Sequence, residues 1–341
     1  MGQAPEVYVS GRPLTSIGYW GDLEVTHTWP YGSWELKWSM ALAPYERPSE
    51  LVAGADAYCA VGSHRIWAGS LPEPNWASSE FAATGANREA EGTLCFDSGG
   101  ETTSTLDTAV DQGIADGFLN WTRPASVSAT PFVEGGTTDY LNYLAALADA
   151  VTAEQQTRWY VDPWRAFRAA PDPTTPTAML LPDNGQLGVA AEAQVGTVFG
   201  RYLDSTSGAY ETVSYGSGRP AKVANWIGLG PMTAARATGL CAGVWAPLQA
   251  QTGWTNGLTI HGGELMSLGG NDLPLWMFRA GPTGMLRLLG VRDPRGLSAN
   301  TDIVLAKSVW RPGDDTLQAD PIGKVARDFA SIVTASGGTV S

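Results

Sequence analysis

Basic residues are scarce in this 341-residue chain. Lysine occurs only at Lys37, Lys222, Lys307 and Lys324, no basic run exists, and the formal net charge is -13. Affinity for nucleic acid comes from Lys and Arg clustered on phosphates, so this balance excludes a dedicated nucleic-acid binder. It serves solubility, and it also suits a surface past which DNA moves without sticking. Cysteine is scarce too. Cys59, Cys95 and Cys241 are far apart with no C-x-x-C pair, which excludes the common zinc and dithiol motifs. Free, mostly buried thiols made in a reducing compartment are expected.

Other absences narrow the field further. His27, His64 and His261 stand in separate strand-like contexts, without the spacing of a metal-binding helix. There is no G-x-S-x-G elbow and no P-loop, and Gly228-Leu229-Gly230 is cut off from a dinucleotide motif by Pro231. No apolar run approaches the ~20 residues of a membrane helix, so no membrane anchor is expected. The first residues show neither a basic region nor an apolar run, so no signal peptide is expected. Glu6 stands where a myristoylation motif places Ser or Thr. Asn120-Trp121-Thr122 has the form of a glycosylation triplet and is read as chance.

What is abundant is glycine (41), proline (22) and tryptophan (14), in a chain that is 43% hydrophobic and 16% charged. Such a chain folds without metal or disulfide help. Its turn residues exclude a helical bundle and favour many short strands. Arg65 to Gly92 reads as a strand, a proline-punctuated turn and two more short strands. Its large apolar groups, Ile66, Trp67, Leu71, Trp76 and Phe81, have no catalytic partner.

The chain divides into three regions. The first, 1–125, is mostly β. Leu23, Val25 and His27 alternate with Glu24 and Thr26. After Pro30-Tyr31-Gly32-Ser33, the residues Trp34, Leu36, Trp38 and Met40 share one face. Glu35, Lys37 and Ser39 take the other, as in a long antiparallel hairpin. Thr105 to Gly117 reads as a helix with Ala109, Val110 and Ile114 on one face and Gly117 as its stop.

The second region, 126–230, opens with a helix capped at Thr137, Thr138 or Asp139. Tyr140, Leu141, Leu144, Leu147, Ala148 and Val151 form its stripe. Hairpins follow at Arg158–Val161 with Arg165–Arg168, and at Val198–Leu203 with Tyr210–Tyr215. The segment Ala170–Pro176 reads as an ordered loop.

The third region, 231–341, starts with a helix carrying Ala237, Leu240, Cys241, Val244, Trp245 and Leu248. Strands are expected at Leu258–His261, Leu275–Arg279, Met285–Val291 and Ile303–Trp310, with a turn at Asp314-Asp315. Asp320-Pro321 reads as a helix start, leading into Ile322, Val325, Ala326, Phe329, Ile332 and Val333. Regions one and three look like two copies of one barrel-plus-helix design.

Chemistry is hard to find. Glu24 and Glu35 approach across the first hairpin as a glycosidase pair would. They lie opposite the aromatic face, where water solvates them. Glu89 and Glu91, expected on one strand face, receive the same reading. Trp34 and Trp38 alternate as core residues do, rather than as a sugar platform. No catalytic, cofactor-binding or metal-ligating residue is assigned, and no cofactor is expected.

Several segments carry a resemblance. They include Arg65 to Trp76, Gly85 to Gly92, Trp121-Thr122-Arg123-Pro124, Trp159-Tyr160-Val161-Asp162-Pro163 and Arg168 to Pro173. Further on come Gly253-Trp254-Thr255-Asn256-Gly257, Arg287 to Val291, Thr301-Asp302-Ile303-Val304, Asp320-Pro321-Ile322-Gly323 and Ala326-Arg327-Asp328. In this order they resemble the minor tail proteins, of the tail-hub type, of long-tailed phages that infect actinobacteria. The resemblance implies a non-enzymatic virion protein at the distal tail tip, made in the host cytoplasm. It implies a β-dominated α+β chain: two tail-tube-like β-barrels, each with a packed helix, plus an inserted α/β region.

On that scheme residues 1–125 form the first barrel. Residues 126–230 form an inserted helix-plus-hairpin domain that partly returns to it, and 231–341 form the second barrel with a C-terminal helix. The implied partners are two further copies, a distal-tail or tail-tube protein above, and a central fibre or other minor tail proteins below. The tape-measure protein is another candidate, and DNA is met only in transit. The chain stops soon after the Ile322–Val333 stripe, so receptor contact by this chain is not expected. The alternatives are a hexameric distal-tail ring and, from another class, a cell-wall glycan-binding module or glycosidase.

Overall fold

In the computed structural model the described residues are 4–43, 45–76, 78–95, 105–129, 143–180, 195–250, 257–290, 300–322, 329–335 and 337–340. They fall into two compact units. The larger comprises Met1–Asn184, Thr259–Val291 and Ala299–Ala319; the smaller comprises Gly185–Leu258, Arg292–Ser298 and Asp320–Ser341.

In chain order the larger unit first supplies β1 (Pro5–Val9), β2 (Arg12–Pro13), β3 (Tyr19–Thr28), β4 (Tyr31–Ala41), β5 (Asp56–Val61), β6 (His64–Ser70) and β7 (Glu80–Gly85). Helices α1 (Glu89–Gly92), α2 (Leu106–Ala115) and α3 (Leu144–Glu154) come next, then β8 (Arg158–Val161), β9 (Phe167–Ala170) and β10 (Ala178–Leu180). The smaller unit adds β11 (Thr197–Asp204), β12 (Tyr210–Gly216), β13 (Ala221–Asn225), β14 (Pro231–Met232) and α4 (Ala234–Ala250). The chain then returns with β15 (Leu258–His261), β16 (Leu265–Ser267), β17 (Met285–Leu288), β18 (Thr301–Arg311) and β19 (Thr316–Pro321). It closes in the smaller unit with α5 (Phe329–Ala335) and β20 (Thr339–Val340).

The β-dominated α+β class holds: the chain is 43% strand and 19% helix. The barrels do not close among the described residues. Fifteen strands form one sheet: eleven follow the path β16-β10-β17-β18-β3-β4-β7-β6-β5-β1-β2, whose ends do not pair, β19 and β15 branch from β18, and β8 and β9 from β4. The smaller unit has its own sheet, ordered β12-β11-β13-β20.

Nor do the compact units follow the linear three-part division. β18 lies antiparallel to β3, with Lys307 opposite Thr28 and Trp310 opposite Val25. The third region therefore completes the sheet of the first. Local alternation shows that a segment is a strand but not which edge it joins.

Several elements form where the sequence places them. Helix α2 is capped by Thr105, whose Oγ1 accepts from the Thr108 amide at 3.0 Å. It is followed by Gly117 at φ +76°. Its Ala109 and Val110 join Leu144, Leu147, Ala148, Trp121, Trp159 and Phe167 in a buried cluster beside the sheet. The hairpin β11–β12 forms on the expected strands, with Leu203 facing Tyr210; in β8–β9 Val161 faces Phe167, so the return strand starts two residues after the expected Arg165. In the smaller unit Ala237, Cys241 and Val244 of α4 pack with Trp226, Phe329 and Val333.

Other expectations fail for identifiable reasons. In the first hairpin Thr26 faces Glu35 but His27 faces Ser33, so Trp34 is the extra residue of a bulge. Ser33 is buried in its stead and Trp34 is only partly covered, whereas Leu36, Trp38 and Met40 are core as expected. Residues 86–92 are a 3-10 turn and α1, not a strand, because the buried Ala86 and Ala90 stand four apart. Residues 275–277 form a 3-10 turn after Pro274, burying Leu275 and Phe278 three apart. Asp320-Pro321 ends β19 rather than starting a helix: alternating burial of Leu317 and Ala319 carries the strand through it. The caps at Thr137–Asp139, the stripe positions Tyr140, Leu141, Val325 and Ala326, and the segments 253–256 and 326–328 lie outside the described residues.

Candidate functional site

The proposed acid pair is held by cations. Glu24 Oε2 accepts from Arg311 Nε at 2.8 Å and lies 2.7 Å from its Nη2. Glu35 lies 2.8 Å from Lys37 Nζ. Glu24 and Lys37 border a groove of about 430 Å³ with Asp22, Ser39 and Phe81. The Trp38 indole at its floor is only 1% exposed, so it offers no stacking face. A ring packed on Phe81 at 5.9 Å serves cohesion.

Glu89 and Glu91 part company. Glu91 pairs with Arg88 at 3.0 Å on the surface. Glu89 accepts from Arg165 Nη1 at 2.7 Å and from the Asn120 amide at 2.8 Å. Arg165, 7% exposed, also donates to the Asp56 carboxylate and the Gly69 carbonyl. One guanidinium thus ties α1, β5 and β6 to the turn between β8 and β9. Sequence inspection missed this knot because its members lie on four separate segments. The sole local sign is Asp162-Pro163, which sets the turn that lifts Arg165 to φ +60°.

The histidines stay apart. Burial drives His27 down to about 3, and Arg279 adds to the shift, so the ring is neutral; its Nε2–H donates to the Ile66 carbonyl at 2.8 Å. His64 rests against Trp276, and the His261 backbone amide donates to Glu264 at 2.7 Å. No group of three metal-ligating side chains occurs among the described residues. The three cysteines are buried and form no disulfide, and burial raises each thiol, Cys241 to about 11.

What the fold does offer is surface. β12 is the outer strand of its sheet and pairs only with β11 among the described residues. All its side chains except Val213 are exposed, and Tyr210 is 68% so. A bare strand edge of this kind invites pairing with another chain.

No family model matches the sequence, and no curated protein does. Solved structures do match. The 43 kDa tail protein of prophage MuSo2 from Shewanella oneidensis superposes with TM-score 0.59 at 12% identity, over 94% of this chain and 98% of that one. The tail protein from Neisseria meningitidis MC58 gives TM-score 0.53 at 12% identity, over 94% and 97%. The chain has the fold of these tail proteins. At this identity the likeness concerns architecture, and it spans both compact units.

Proposed function

We propose that this chain is a structural protein of a bacteriophage tail, acting at the distal tip as a hub. In this role three copies join a sixfold tail tube to a threefold central fibre and leave a passage for DNA. The observation that carries the reading is the full-length likeness to two prophage and bacterial tail proteins, neither of which extends appreciably beyond the match. The carboxylates that would serve a glycosidase are bound to Arg311, Lys37, Arg165 and Arg88, which fits a chain that does no hydrolysis. The acidic balance keeps passing DNA from adhering.

Electron microscopy of virions labelled with an antibody to this chain tests the position. Label at the tail tip is expected; label along the tube or on the capsid refutes the hub. The mass of the assembled protein separates three copies from the six of a distal-tail ring. Wall-polysaccharide hydrolysis that disappears with Glu35→Gln would instead establish the enzyme reading.

A further inference from the structure

A second groove, of about 290 Å³, lies in the larger unit between the β5–β6 turn, Trp164 and the turn at Leu275–Met277. Its wall carries His64, Arg65, Trp164, Trp276, Met277 and Arg279 and not one carboxylate. In a chain of net charge -13 that is a local reversal of sign.

Both arginines are held in place, and neither has a hydrogen-bonded carboxylate. Arg65 lies over the Tyr58 ring at 4.2 Å and beside Trp164 at 5.8 Å. Its Nε and Nη2 are buried and donate to nothing, and its nearest carboxylate, Asp56, is 3.8 Å away, beyond hydrogen-bond reach. Asp56 is already engaged by Arg165. Arg279 donates to the Ile66 carbonyl at 3.3 Å and has no ion pair among the described residues. The neighbouring Asp162 is taken by Arg168 at 2.9 Å. Burial pulls both guanidiniums below their usual range, and the nearby carboxylates, Asp56 for Arg65 and Asp162 for Arg279, do not offset it.

Around these cations the surface is apolar. Trp164 is 65% exposed and Met277 is 53% exposed. Trp, Met and Arg around one pocket, without Lys, is the composition of a protein-contact hot spot. A guanidinium fork fits a carboxylate bidentately, and Arg279 has no ion pair among the described residues. A nucleic-acid strand fits less well, because each further phosphate meets the acidic surface beyond the groove.

We propose that this groove binds an acidic segment of a partner protein. One Asp or Glu carboxylate lies between Arg65 and Arg279, and its apolar neighbours cover Trp164 and Met277. The proposal does not depend on the role at the tail tip.

Fluorine NMR on protein labelled with 5-fluorotryptophan tests it. Trp164→Phe and Trp276→Phe identify the two groove resonances. The probes are acetyl-Leu-Glu-Leu-amide, its Gln counterpart and a short oligothymidylate. The Glu probe is expected to move those two resonances and leave the other indoles unmoved. The Gln probe should bind about tenfold more weakly, as should the Glu probe to Arg279→Gln protein. Trp164→Ala, at an exposed position, should weaken the Glu probe several-fold while the remaining spectrum stays native. Equal binding of the Glu and Gln probes overturns the proposal. So does a stronger response to oligothymidylate, or no response to the Glu probe at about 10 mM.

Discussion

Ser33 and Gly85 meet backbone to backbone: a Cβ on Gly85 would lie 1.8 Å from the Ser33 carbonyl oxygen. Gly69, paired with Gly85 across β6 and β7, is as confined, since its Cβ would meet the Thr84 carbonyl at 1.9 Å. Backbone cannot yield as a flexible side chain can. Gly85→Ala should therefore cost about 3 kcal/mol or more. Urea unfolding measures it. A loss under 1 kcal/mol would mean that β4 and β7 are farther apart than described.

The bulge in the first hairpin separates two tryptophans that alternation alone would treat alike. Trp38→Ala should cost roughly 3–5 kcal/mol, because its ring is enclosed. Trp34→Ala should cost about 1 kcal/mol, the worth of an open ring under the Arg88 guanidinium at 4.9 Å. Equal losses would place Trp34 back in the core.

His27 makes stability depend on pH. Its folded-state value of about 3 lies below the 6.5 of the unfolded chain. Between those limits the unfolded state binds the extra proton, so stability rises with pH and falls on acidification. Moving from pH 7 to pH 5 should cost about 2 kcal/mol through this residue. Urea midpoints at the two pH values, for the native chain and for His27→Gln, isolate that part. An unchanged pH dependence in the variant would remove His27 as its source.

Arg165 binds two carboxylates and a carbonyl from the interior. Arg165→Met strands the Glu89 charge and should cost roughly 3–5 kcal/mol. Arg165→Lys should recover little, because an ammonium lacks the planar fork that reaches all three acceptors. Full stability of the Lys variant would show that charge alone suffices.

Much of this fold was legible in the sequence wherever one element decides its own form. The α2 helix between Thr105 and Gly117, the β8–β9 turn at Asp162-Pro163 and the alternation through β18 are local, and local pattern finds them. The bulge at Trp34 was not legible, because it exists only relative to the opposite strand. Ala86 and Ala90 were misread because small residues suit either period. Asp320-Pro321 misled because a valid capping pair also fits the end of a strand. The candidate acids show the same limit: Glu24 and Glu35 were visible, but the neutralising Arg311 arrives from the other end of the chain.

The pairing of β3 with β18 also sets a timetable. The partner of Thr28 is Lys307, about 280 residues later, so the central sheet is a contact of very high order. A ribosome adding ~5–20 residues per second needs tens of seconds to span that gap. Throughout, the nascent β3–β4 ribbon waits with one flank unzipped, exposed to whatever strand reaches it first. The long wait for β18, as much as the stability of the finished molecule, then bears on how much of the chain folds intact.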